Sequence, residues 1–125
     1  MTNKTCYSRL YGEFQLIARQ FNLIADEYDI SFEQYLILEV LEDQSLTPSQ
    51  MKKIFKTSMP AVSRKINLLQ EKNYIRKIRG LQDQRLVKVE ITTAGKMIYS
   101  QITKKLDNKY NNLDEQHRKF ISAFQ

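Results

Sequence analysis

RGLQDQRLVKVEITTAG, residues Arg79–Gly95, decides the fold. It holds Arg79, Arg85, an aspartate between them and two of the chain's three glycines. LVKVEIT alternates Leu86, Lys88, Glu90 and Thr92 against Val87, Val89 and Ile91, the period-2 pattern of a half-buried strand. Just upstream, YIRKIR alternates Tyr74, Arg76 and Ile78 against Ile75, Lys77 and Arg79 in the same way. GLQDQ separates the two runs, and Gly80 can take the positive φ that a tight loop needs. The stretch therefore predicts a basic β-hairpin over 74–92. Thr92 or Thr93 then caps a long helix carrying Met97, Ile98, Ile102, Leu106 and Tyr110.

Working towards the N-terminus, SMPAVSRKINLLQEKN reads as a helix over 58–72, capped by Ser58, with Pro60 in its first turn. Val62, Ile66 and Leu69 fall at i, i+4 and i+7, a single buried stripe. Pro60, Ala61, Arg64, Lys65 and Lys72 lie largely away from it. Asn73 suits a left-handed residue at the helix end. Before this helix, LTPSQMKKIFK supplies Thr47 as N-cap, Pro48 at the first helical position and Gln50 to close a capping box. Two helices joined by about three residues, the second with a basic free face, form a helix-turn-helix pattern. Followed by a basic hairpin, that pattern is a winged helix.

The remaining segments are helical, since only two prolines and three glycines interrupt the chain. ISFEQYLILEVLED starts with Ser31 as N-cap and Gln34 closing its box, and its apolar run predicts central burial. Residues 5–27 carry Leu10, Phe14, Ile17, Phe21, Ile24 and Tyr28 at alternating steps of four and three. That heptad-like stripe packs either on the rest of the domain or, as an N-terminal helix favours, on a second copy. A short helix at about 114–124 adds Phe120, Ile121 and Phe124.

Composition agrees. The 125 residues fit one domain, 42% of them hydrophobic, a size often completed by dimerisation. Apolar runs never exceed four residues, far short of a membrane span, and MTNKTCYSRLYGEF has no apolar leader core. One cysteine excludes an internal disulfide and suits a reducing cytosol; one Cys and one His cannot build a structural zinc site. The net charge of +6 is uneven. Residues 47–92 carry 11 basic and 3 acidic side chains, whereas 1–46 carry 3 and 8. This concentration points to a polyanion partner, with a solvated lysine-rich face as the plainer explanation. No Gly-rich phosphate loop, catalytic carboxylate frame or Ser/His or Cys/His motif is present, so neither an enzyme nor a cofactor is expected.

In a winged helix, the second helix of the helix-turn-helix enters the major groove and the hairpin tip reaches the minor groove. The narrow, electronegative minor groove suits an extended guanidinium. Arg79 and Arg85 flank the loop, and Asp83 is close enough in sequence to orient a guanidinium. Lys52, Lys53, Lys56, Arg76 and Lys77 are the candidate phosphate contacts.

These segments resemble the MarR family of bacterial transcription regulators over nearly the whole chain. SFEQYLILEVL resembles its second helix, and LTPSQMKKIFKTSMPAVSRKINLLQEKNYI its helix-turn-helix and the entry to the wing. DQRLVKVEITTAG is similar to its Asp-x-Arg wing signature and the start of its fifth helix. ISFEQY, the Arg79, Asp83 and Arg85 spacing and the early CYS triplet resemble the staphylococcal accessory-regulator (Sar) branch. Asn73 departs from a position where the family often has glycine.

The resemblance implies a cytoplasmic bacterial homodimer on double-stranded DNA, with 1–30 and 96–125 as dimerisation helices and 31–95 as the winged helix-turn-helix. Candidate interface residues are Leu10, Phe14, Ile17, Phe21, Ile102, Leu106, Phe120, Ile121 and Phe124. Asp83 and Arg85 become the wing pair and Ser63, Arg64 and Lys65 groove-facing residues of the recognition helix; the helix reading itself adds Ser58, Pro60 and Ala61 as candidate DNA contacts. Two other uses of the same shape stay open: a nonspecific architectural DNA binder and a protein-interaction adaptor. A small-molecule or oxidant effector is left open as the switch, and no sequence feature marks a small-molecule pocket. Cys6 near the start of the first helix resembles the branch's one-cysteine redox sensors, the other reading being a small buried apolar residue.

Overall fold

The computed structural model describes residues 6–80, 86–111 and 115–122. Six helices and one hairpin follow in the order α1 (Tyr7–Asp26), α2 (Phe32–Val40), α3 (Pro48–Phe55), α4 (Met59–Glu71), β1 (Ile75–Arg79), β2 (Val87–Ile91), α5 (Thr93–Asn111) and α6 (Glu115–Ser122).

Short-range hydrogen bonds set where the helices begin. Ser31 Oγ accepts from the Gln34 N–H at 3.1 Å, and the Gln34 side chain accepts from the Ser31 N–H at 2.8 Å. Thr47 and Gln50 repeat the arrangement at 3.1 and 2.8 Å, with Pro48 in the first turn. Ser58 Oγ accepts from the Ala61 N–H at 3.3 Å. Each expected cap is therefore formed, and each satisfies an otherwise orphaned donor. Lys56 (φ 51°) and Asn73 (φ 63°) are the left-handed residues that end α3 and α4.

The core is a continuous cluster. α2 lies at its centre, contributing Tyr35, Ile37 and Leu38, with Leu41 just beyond its end. Met51 of α3 and Val62, Ile66 and Leu69 of α4 close one side, and Ala25 of α1 with Ile102 and Leu106 of α5 the other. This corrects two interface candidates. Ile102 is 0% exposed in a single chain and Leu106 9%, so both are spent on intrachain packing. The stripe on α1 is likewise divided: Phe21, Ile24 and Tyr28 pack on the core, whereas Phe14 is exposed and Leu10 and Ile17 are only half-buried. Of the other candidates, Phe124 and the side chains of Phe120 and Ile121 lie outside the described residues.

β1 and β2 pair antiparallel with Ile75 opposite Ile91, Lys77 opposite Val89 and Arg79 opposite Val87. Leu46, from the α2–α3 connection, bridges to Val89 as a one-residue third strand. The expected alternation holds on β2, where Val89 and Ile91 are buried. On β1 only Ile75 is buried, and Ile78 is 38% exposed. The hairpin packs on the body at its base, at Ile75, and the described residues leave the outer isoleucine partly uncovered. Thr92 is the residue that starts α5: its hydroxyl accepts from the Gly95 N–H at 3.0 Å and donates to the Asn73 carbonyl at 2.6 Å.

Candidate nucleic-acid interface

The buried stripe of α4 fixes which residues face outward. Pro60, Arg64, Asn67 and Glu71 form the opposite crest and are exposed. Ala61 and Ser63 flank it, half-buried, and Ser58 is exposed at the cap. The crest is cationic only in its first turns, because Glu71 ends it. The N-terminal end of α4 is thus the part that can approach a polyanion.

Two residues expected on the free face are turned aside. Lys65 points toward α2, where its Nζ is 2.7 Å from Glu33 Oε2. Lys72 points to the α1–α2 corner, bonding the Asp29 backbone carbonyl and, at 2.8 Å, its carboxylate. The Lys72 ammonium holds the Asp29 carboxyl below its ordinary range. The reason is angular: both lysines lie on the flank of α4 nearest that corner, seven residues apart on one side of the helix.

The hairpin adds a second cationic element. Lys77 Nζ donates to Asn67 Oδ1 at 3.2 Å, joining β1 to the crest of α4. Arg76 pairs across the strands with Glu90, and Arg79 is exposed at the end of β1. Lys52, Lys53 and Lys56 are exposed on α3 and its cap. Asp83 and Arg85 lie outside the described residues. Sequence reasoning missed Glu33, Asn67, Asp29 and Leu46. A Glu in the first turn of a helix reads only as a dipole partner, and nothing local says which distant lysine it meets.

Cys6 is the N-cap residue of α1 and is exposed in the single chain, so it is not part of that chain's own core. Its Sγ lies 3.4 Å from Ser8 Oγ, and this hydrogen bond, helped by the backbone at Arg9, lowers the thiol's pKa. Among the described residues, no cluster of His, Cys, Asp and Glu could hold a metal, and no helix is long and apolar enough to cross a membrane.

A helix-turn-helix joined to a basic hairpin is the arrangement that the comparisons with known proteins also find. The family model described as "Transcriptional regulator SarA/Rot" matches residues 19–102, most of the chain. The chain belongs to the SarA/Rot family of transcriptional regulators. The match runs from α1 into α5 and includes the hairpin. Membership bears out the resemblance and places the chain among regulators rather than enzymes. A curated relative, "Uncharacterized HTH-type transcriptional regulator YpoP" of Bacillus subtilis, is 27% identical over 93 residues. That alignment covers 74% of this chain and 65% of the relative, so the chain spans about two-thirds of the relative's length. Apo MarR of E. coli superposes with a TM-score of 0.80 at 22% identity, covering 98% of this chain and 96% of MarR. A MarR mutant complexed with operator DNA gives 0.76 at 22% identity, covering 94% and 88%. These likenesses establish the SarA/Rot chain's fold as a MarR-type winged helix.

Proposed function

We propose that this SarA/Rot-family chain is a sequence-specific DNA-binding transcriptional regulator, acting as a homodimer on a pseudo-palindromic operator. The observation that carries this reading is the crest Pro60–Arg64–Asn67 standing opposite the buried stripe of α4 and joined by Lys77 to the basic hairpin. Placed in the major groove, the crest brings Arg64 to the base edges. Lys52, Lys53 and Lys56 on α3 flank it as phosphate contacts, with Arg76 and Lys77 on the wing. Arg79, and from the sequence Asp83 and Arg85, supply the minor-groove end. The two recognition helices would sit about 34–36 Å apart, one DNA turn, or a multiple of that. The site of action is the bacterial cytoplasm.

Fluorescence anisotropy on the protein's own upstream DNA, with random-sequence competitor at two salt concentrations, tests this. Arg64→Ala should lose about 1–3 kcal/mol on the operator and much less on random DNA. Arg85→Ala should weaken binding while leaving the dimer and its melting temperature unchanged. Equal, weak binding to every sequence would indicate an architectural protein instead, and no binding an adaptor. For Cys6, peroxide should weaken binding by wild type and spare Cys6→Ser; equal sensitivity removes the oxidant role.

A further inference from the structure

α4 carries two adjacent cations in different states. Arg64 is exposed and, among the described residues, makes no ion pair. Lys65 is held: its side chain is 26% exposed and its ammonium lies 2.7 Å from the carboxylate of Glu33, which is 70% exposed. The pair spans the cleft between the first turn of α2 and the middle of α4. A hollow of about 300 Å³ floored by Ile37, Phe55 and Val62 lies on one side of it. An open hollow of about 400 Å³ between Ser31, Ala61 and Leu68 lies on the other. Glu33 and Lys65 line both. The lysine therefore has room to swing, and the contact that fixes its direction is the carboxylate.

We propose that Glu33 is a positioning residue for DNA binding that withholds Lys65 from the phosphate backbone and so lowers affinity for DNA of any sequence. This rests on the DNA-binding reading above. A lysine that leaves Glu33 for a phosphate exchanges one anion for another and gains little. It also leaves an exposed carboxylate facing the phosphates, beside Arg64. Sequence-independent affinity comes from the number of phosphates neutralised, and a regulator must find its site among a vast excess of other DNA. Removing one cation from that count, while leaving Arg64 on the crest for the bases, favours discrimination over raw affinity.

The test is the salt dependence of binding to a random-sequence duplex between about 50 and 200 mM salt, where each phosphate contact contributes about 0.9 to the log–log slope. Glu33→Gln should bind more tightly than wild type with a slope steeper by about 0.9, so that its advantage shrinks about threefold across that range. Glu33→Gln combined with Lys65→Gln should return to the wild-type slope. That return separates release of Lys65 from the mere loss of a repelling carboxylate. Glu33→Ala provides a second variant, and melting temperature reports whether each is folded. A wild-type slope in Glu33→Gln, or a steep slope persisting in the double variant, overturns the proposal while leaving the DNA-binding reading intact. Absence of DNA binding by wild type overturns both.

Discussion

At residue scale, Gly95 sits where no side chain fits. A Cβ there would lie 2.1 Å from the Tyr74 carbonyl oxygen and 2.8 Å from Ile91 Cγ1. The first obstacle is backbone and cannot rotate away. It is also engaged, accepting from the Thr92 N–H at 3.0 Å. Gly95→Ala should therefore destabilise the fold by about 1–3 kcal/mol or more, seen as a lower urea midpoint. An unchanged midpoint would mean that α5 does not start against Tyr74. Tyr35 gives a pH prediction. It stacks between Phe32 and Tyr99, with its hydroxyl 2.8 Å from Thr103 Oγ1. Burial pushes its phenol up to about 12 from an ordinary value of 10.0. Because the folded value is the higher one, the neutral ring's contribution is complete below pH 10 and is lost as pH rises toward 12. Alkaline denaturation should have a component in that window which Tyr35→Phe removes; an identical pH profile in the variant would refute the assignment.

At the scale of elements, legibility follows the range of the encoding interaction. The helix starts at Ser31, Thr47 and Ser58 were readable because an N-cap and its partner lie within three residues. The stripe Val62–Ile66–Leu69 was readable because burial repeats with the helix. Ser58→Ala should lose about 1 kcal/mol of stability, measured by urea unfolding, since it orphans the Ala61 N–H. No loss would mean the cap is replaced by water at no cost. What the sequence hid depends on distant partners. Lys65 meets Glu33 and Lys72 meets Asp29 across intervals of 32 and 43 residues. Periodicity put both lysines on the free face because it measures distance from the buried stripe, not the pull of a neighbouring helix. For β1 the alternation was real, but burial needs apolar surface to be buried against, and among the described residues only Ile75 of this strand is buried.

For the whole molecule, the stripe on α1 shows both uses at once. Its C-terminal half is consumed by the core. Its N-terminal half carries Phe14 at 42% exposure, and Tyr7 at 75% and Tyr11 at 64% stand exposed on the same part of the helix. Exposed apolar area of this kind marks an interaction surface, and a second copy of α1 is its proposed cover. Phe14→Glu should shift the protein to monomer in sedimentation experiments while leaving its far-ultraviolet circular dichroism unchanged; a persistent dimer would place the interface elsewhere. The sequence could not divide the stripe, because the same spacing serves a core and a partner equally well, and only the packing of α5 against α1 and α2 separates them. The bridge between Leu46 and Val89 acts at the same scale. Each residue's N–H bonds the other's carbonyl, at 3.0 and 2.7 Å. No backbone bridge of this kind joins the outer pair Arg79 and Val87 to the body among the described residues. In deuterium exchange the amides of Leu46 and Val89 should therefore open only with the body of the protein, while those toward Gly80 exchange through local fraying. The hairpin has a slow clock at its root and a faster one toward Gly80, so its point of departure from the body stays fixed while its outer pairs open and close.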